Sequence, residues 1–188
     1  TCPADMANVE ATAPGGATVD WDDATAVDAG ATSAVDTDVA ITYSSNTDGA
    51  LGANSTATLS IAAHTITATG TDDAGNTGTC SFDVEVEDDS DPTVTCPADM
   101  ANVEATAPGG ATVDWDDATA VDAGATPVDA SIDITYSSNE DGNIGANSTA
   151  TLSIAAHTIT ATGQDDTGNT GTCSFDVEVE DDSDPTVT

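Results

Sequence analysis

The sequence predicts an all-β protein of two tandem sandwiches, and three observations carry that prediction. Short runs alternate apolar and polar residues, turns rich in Gly, Pro, Asn and Asp punctuate them roughly every 8 to 15 residues, and the whole pattern occurs twice. No window sustains a helical period.

The repeat sets the domain count. Residues 1–32 recur unchanged at 95–126, and GANSTATLSIAAHTITATG at 52–70 recurs at 145–163. The offset is 94 for the first block and 93 for the second, because one residue is lost between TSAVDTDVAITYSSN and TPVDASIDITYSSN. The block 75–95 then returns at 168–188. Two homologous domains are expected over 1–87 and 95–180, with an acidic linker at 88–94 and a like stretch at 181–188. Thr188 stands where Thr95 and Thr1 stand, so the chain is expected to be an excerpt from a longer array.

Each strand follows from its alternation. ATVDW places Val19 and Trp21 on one face and Thr18 and Asp20 on the other. AITY pairs Ile41 with Tyr43, TLSI pairs Leu59 with Ile61, and HTITATG sets Ile66 and Ala68 against Thr65, Thr67 and Thr69. CSFDVEV turns Phe82, Val84 and Val86 inward. TAPGG, DDATAVDAG, NTDGALGANS and DDAGNTG read as the connecting turns. Six or seven short strands in each copy fit an immunoglobulin-like β-sandwich.

Each copy carries one Trp, one Tyr and one Phe, a lean core for a domain that buries only about 60–65% of its extended-chain surface. A covalent staple is expected. Four cysteines allow three pairings. Cys80 and Cys96 are held apart by a strand and a linker, at about 3.3 Å per residue far beyond the roughly 7 Å Cα limit of a disulfide. If the first and last strands of a sandwich run parallel as neighbours, Cys2 meets Cys80 and Cys96 meets Cys173. One disulfide inside each domain is expected, worth roughly 4–5 kcal/mol in the chain-entropy model, and it places the chain outside the cytosol. Zinc is disfavoured, since no CxxC pair exists and His64 and His157 are isolated.

The charge is one-sided. There are 35 Asp and Glu residues, no Lys or Arg, and a formal net charge of -35. Such a surface repels nucleic acid and anionic lipid, because nothing on it neutralises a phosphate. The same composition removes lysine nucleophiles, Schiff bases, arginine clamps and the P-loop lysine. No run approaches the roughly 18 apolar residues needed to span a bilayer, and no signal sequence opens the chain, so no membrane insertion is expected in this segment. Paired carboxylates without a cleft, and Ser and His outside any nucleophile-elbow context, argue against an enzyme.

The initial TCPAD, the central ATVDW, the alternating HTITATGTDDAGNTGTCSFDVEVED and the renewed DPTVTCP together resemble the hyalin repeat, and both copies match throughout. That resemblance implies an immunoglobulin-like extracellular module, strung in tandem in adhesion and matrix proteins and generally without catalytic activity. The lack of Lys and Arg is not a requirement of the family and needs its own explanation.

The acid is expected to gather where the domains meet. In a sandwich of this topology the turn before the last strand and the loop after the Trp strand lie at the end where the linker enters. Asp88, Asp89 and Asp91 of the linker would then meet Asp116, Asp117, Asp165, Asp166 and Asn169. With no basic side chain to offset them, a cation is the remaining partner, and calcium suits hard oxygen ligands in irregular geometry. The competing reading is a solvated acidic coat, as in proteins of high-salt environments. Asn54 and Asn147 lie in Asn-Ser-Thr sequons and are candidate glycosylation sites. Thr65, Thr67, Thr69 and Thr71 read as an exposed strand face, and His64 and His157 as surface or turn residues.

The function expected from these observations is a non-enzymatic extracellular structural or adhesive array, forming a stalk, surface layer or filament stiffened by calcium at its acidic junctions. Its expected partners are copies of itself, end to end or side by side, or other surface and matrix molecules. The alternative is a carbohydrate- or protein-binding adhesion module in which the repeats act as spacer.

Overall fold

The computed structural model describes residues 1–28, 39–122, 132–185 and 187. It divides into two compact units, Thr1–Asp89 and Ser90–Thr188. The described residues form strands and no helix.

In the first unit the strands are β1 (Met6–Glu10), β2 (Ala17–Asp20), β3 (Ala40–Ser45), β4 (Gly49–Gly52), β5 (Thr56–Leu59), β6 (Ala62–Thr71) and β7 (Thr77–Glu87). Five of them form a sheet in the order β1-β7-β6-β3-β4, and β2 pairs with β5 in a second. The alternation puts Val19 and Trp21 of one sheet against Tyr43, Ile66, Phe82, Val84 and Val86 of the other, all buried, as the strand patterns predict. Trp21 meets Tyr43 edge-on, with centroids 5.5 Å apart, and Phe82 at 5.8 Å. The Tyr43 hydroxyl also accepts the Ala24 amide hydrogen at 2.9 Å, so one ring fills the core and pins the loop that follows Trp21.

β1 runs parallel to β7. Its register jumps between Met6 and Val9, and Asn8 absorbs the bulge with φ of 56°, a conformation that asparagine tolerates better than most residues. The parallel pair brings Cys2 to Cys80, with Cα atoms 5.9 Å apart, and the second unit joins Cys96 to Cys173 at 5.7 Å. Both expected disulfides are present. Cys80 lies within β7, and Cys2 lies before β1.

The second unit contains β8 (Thr93–Thr95), β9 (Met100–Glu104), β10 (Ala111–Asp114), β11 (Thr119–Val121), β12 (Asp133–Ser138), β13 (Gly142–Gly145), β14 (Thr149–Leu152), β15 (Ala156–Gln164) and β16 (Thr170–Glu180). Its main sheet has the order β13-β12-β15-β16-β9, β10 pairs with β14, and β8 pairs antiparallel with β11. Among the described residues this unit has nine strands, where six or seven were expected. Residues 93 and 94, read as linker, belong to β8. In the first unit Thr1 and Thr25, equivalent to Thr95 and Thr119, bond to each other in the same way.

Two segments read as turns also hold strands. NTDGALGANS forms a tight reversal and then β4, because Gly49 and Gly52 take φ of 77° and 94° and let the chain fold back along β3. DDATAVDAG supplies β11 in the second unit. Three residues of Thr-Ala-Val carry too little alternation to stand out from a turn.

Candidate functional site

The acidic motifs have a local structural logic. In DDAGN the Asp72 carboxylate accepts the Asn76 amide hydrogen and the Asn76 side-chain amide, each at 2.8 Å. Those bonds hold the Asp72 carboxyl below its ordinary value. The same turn in the second unit is more heavily bonded. Asp165 Oδ1 accepts from the amides of Thr167, Gly168 and Asn169 and from the Thr167 hydroxyl, and Oδ2 accepts from the Asn169 side chain. Burial pushes the Asp165 carboxyl up, but these bonds outweigh it, and the group sits below the usual carboxylate range. Gly168, with φ of 103°, supplies the left-handed residue of the turn.

The remaining expected ligands fall as follows. In the second unit Asp91 reaches the same turn, accepting the Thr170 amide hydrogen at 3.3 Å. Asp166 is exposed on the turn, and Asp116 is exposed after Trp115. Asp117 turns toward the start of β14, where it accepts the Ser148 hydroxyl. In the first unit Asp88 is half-buried and Asp89 exposed at the end of β7, with the Asp89 amide donating to the Glu10 carboxylate at 3.3 Å. The second unit repeats that clasp with Glu104, which takes the Asp182 amide and the Ser183 hydroxyl.

One acid was missed. Asp122, directly after β11, is buried, and it brings a carboxylate oxygen within 4.8 Å of one on Asp165. Once β11 is known to be a strand, its direction carries the chain to the Asp165 turn, so the signal for Asp122 depends on a strand too short to read from sequence. Asn54 and Asn147 sit in exposed bends, before β5 and β14 respectively.

His64 and His157, expected at the surface, are buried at 1% exposure each. His64 Nε2 lies 2.8 Å from the Ser60 carbonyl oxygen and Nδ1 lies 2.9 Å from Ser45 Oγ. A carbonyl only accepts, so the ring proton is assigned to Nε2, and Nδ1 accepts from the Ser45 hydroxyl. Ser45 Oγ in turn accepts the amide hydrogens of Thr47 and Asp48. The Asp48 carboxylate, 3.5 Å from His64 Nδ1, accepts from the Ser60 amide and hydroxyl. His157, Ser138, Ser153 and Asp141 repeat the arrangement. Ser, His and Asp thus converge, yet the serine is buried with its hydroxyl committed, which makes the trio a clasp between β3, β6 and the β3–β4 turn.

Two disulfide-stapled β-sandwich units, repeated in tandem, define the class of protein. The HYR domain model matches residues 1–86 and 87–179, and the chain belongs to that family as two tandem copies, bearing out the hyalin-repeat resemblance. Membership and the disulfides together make it an adhesion-type tandem-repeat protein of the extracellular kind. Among curated proteins nothing matches the chain. Similar solved structures include the fibronectin(III)-like modules of Clostridium thermocellum CbhA, at 17% identity over 95% of this chain and 92% of that one, with a TM-score of 0.41. Drosophila N-cadherin EC1-4 is similar at 14% identity over 95% of this chain and 49% of that one, TM-score 0.39. Chicken VE-cadherin EC1-2 is similar at 16% identity over 93% and 97%, TM-score 0.36. Among the described residues no helix is long and apolar enough to cross a membrane.

Proposed function

We propose that this chain is a non-enzymatic structural or adhesive array, whose repeated units build a stalk, surface layer or filament through contacts with copies of themselves or with other surface and matrix molecules. The observation that carries the reading is the repetition of identical blocks that include solvent-facing residues. The polar face of β7, with Ser81, Asp83 and Glu85, is reproduced by Ser174, Asp176 and Glu178 of β16, although core packing does not demand it. A spacer tolerates drift at such positions, whereas lateral or end-to-end packing needs like faces.

Calcium is the proposed cation. Oxygens that share one calcium ion at about 2.4 Å each lie no more than about 5 Å apart, and the Asp122 and Asp165 carboxylates meet that limit. Asp91, a further proposed ligand, accepts the Thr170 amide hydrogen at the same turn, and Asp88 and Asp89 stand directly before it in the chain. An ion there would tie the acidic segment to the second unit and stiffen the array. Electron microscopy of purified chain, with thermal melting and small-angle scattering at 0 and about 5 mM calcium, above the roughly 0.1–1 mM dissociation constants of extracellular calcium modules, tests both parts. Regular fibres or sheets and a calcium-dependent rise in melting temperature are expected. Isolated particles under all conditions would sink the assembly reading, and an unchanged melt would sink the ion.

A further inference from the structure

One stretch of each unit carries no acid. Residues 49–71, between Asp48 and Asp72, and residues 142–164, between Asp141 and Asp165, hold no Asp or Glu, and no other run free of them exceeds 9 residues. On a chain of net charge -35 an even scatter of acid would interrupt each stretch several times.

These stretches contain β5 and β14, whose open edges are the least guarded against another strand. The five-stranded sheet and its two-stranded partner present four edges in each unit. β1 and β9 carry bulges at Asn8 and Asn102 and end in Glu10 and Glu104. β4 and β13 slip register against β3 and β12. β2 and β10 end in Asp20 and Asp114. Bulges, irregular register and charge are the ordinary defences of an edge. β5 and β14 have none of them: Thr-Ala-Thr-Leu pairs with β2, and again with β10, in unbroken register. The Trp21 amide donates to the Ser55 carbonyl, and that of Trp115 to Ser148. Bonded and non-bonded pairs alternate along an antiparallel ladder, so Val19 and Ala57 exchange hydrogen bonds, while Thr56 and Thr58 direct their N–H and C=O groups away from β2. Thr149 and Thr151 do the same in the second unit. All four threonines are exposed, and no described strand pairs with that side.

We propose that β5 and β14 are the edges through which copies of this chain join, by antiparallel strand pairing that sets Thr56 opposite Thr58 of the second copy and Ala57 opposite Ala57. The charge selects the occupant. A basic partner is drawn to the acidic faces and gains nothing at an edge without acid. A second copy, equally without Lys or Arg, is repelled wherever carboxylates face each other and is admitted where neither surface has any. This edge meets that condition against itself, because Ser-Thr-Ala-Thr-Leu-Ser sets only neutral residues opposite one another. The strip is identical at 55–60 and 148–153, so either edge fits either edge and one chain engages two others. Each pairing joins strands of 4 residues and is weak alone, and two per chain reinforce each other.

This inference rests on the self-association proposed above and names its site, and the test separates the two. The intact chain, up to about 1 mM, is followed by sedimentation velocity and amide hydrogen exchange in about 0.15 M and about 1 M sodium chloride, where the Debye length falls to about 3 Å. Association that strengthens with salt is expected. In the associated chain the amides of Thr56, Thr58, Thr149 and Thr151 should exchange at least about tenfold more slowly, while those of Ala57 and Ala150, already bonded to the neighbouring strand, should not change. Thr58→Pro with Thr151→Pro removes an outward N–H from each edge and leaves the inner ladder bonds in place. Thr58→Asp with Thr151→Asp keeps the backbone and brings carboxylates onto the joined strands. Either pair should weaken association at least about tenfold. Ser81→Asp with Ser174→Asp adds the same charge on β7 and β16 and should stay within about threefold of the unaltered chain. Association that leaves the four threonine amides unprotected, that survives the Thr→Asp pair undiminished, or that the Ser→Asp pair weakens equally keeps the general assembly reading and overturns the edge. A chain that stays monomeric at both salt concentrations overturns both.

Discussion

Ser45 donates its hydroxyl to His64 across neighbouring strands at 2.9 Å, out of reach of solvent. His64 passes the interaction on to the Ser60 carbonyl, so a single imidazole takes the Ser45 hydroxyl hydrogen on one segment and donates to a part-buried carbonyl on another. His64→Leu should cost the first unit about 2–4 kcal/mol, because it removes the acceptor of the Ser45 hydroxyl hydrogen and the donor to the Ser60 carbonyl together, and Ser45→Ala about 1–3 kcal/mol. Urea unfolding followed by Trp fluorescence should show one of two transitions moving, since Trp115 reports on the untouched unit. A loss of less than about 0.5 kcal/mol, the usual size of a surface effect, would mean that the clasp adds nothing to stability.

Gly16 makes a different demand. It adopts φ of 129°, and a Cβ there would stand 1.9 Å from the Leu59 carbonyl oxygen, backbone that cannot move aside without breaking the β2–β5 pair. Gly16→Ala should destabilise the first unit by more than about 3 kcal/mol, combining strain with the clash. Gly15→Ala, where no atom lies within 4 Å, is the control and should change stability by less than about 1 kcal/mol. Equal effects at the two positions would contradict the geometry.

The core was legible because period two is a strong signal wherever one face is buried. Val19, Trp21, Ile66, Phe82, Val84 and Val86 all face inward as their alternation requires. His64 obeys the same rule, two residues before Ile66 and four before Ala68, and was misplaced only because residue type was weighed above position. β8 and β11 were hidden for another reason. Each has three residues, and their pairing depends on a contact between segments 24 residues apart rather than on any local pattern. Asp122 was hidden with them, since nothing in the run of acids distinguishes it from Asp116 and Asp117 until β11 sets where the chain goes.

The bonded turns carry a pH signature. The folded-state pKa of Asp165 is depressed, chiefly by hydrogen bonds that overcome its burial. A depressed carboxylate contributes stability that is fully present above its unfolded value, near the ordinary 3.8, and that is lost as pH falls through the folded value. Glu180 has the opposite sign: burial and the charges of Asp182, Glu178 and Glu104 raise it, so its protonation on acidification relieves strain at the end of β16. The second unit should therefore hold its melting temperature as pH falls toward 4 and lose it below about 3.8. Asp165→Asn should be less stable at pH 7 and lose less on acidification. A parallel acid response in wild type and variant would refute the assignment.

Calcium and simple screening can be told apart on this surface. A net charge of -35 with no Lys or Arg makes the folded chain repel itself, and monovalent salt relieves that repulsion as the Debye length falls to about 10 Å at 0.1 M. Sodium chloride should raise the melting temperature of both units, with a plateau once screening is complete. Calcium at about 5 mM adds little further screening in 0.15 M salt, so any additional rise reports on a bound ion, amounting to about 2.7 kcal/mol at a hundredfold excess over Kd. The rise should be larger in the second unit, where Asp122 and Asp165 face each other. Asp91→Asn and Asp122→Asn should each reduce it without altering the sodium response. If calcium and an equal ionic strength of sodium chloride give the same melts, the acids form a solvated coat and the ion has no site.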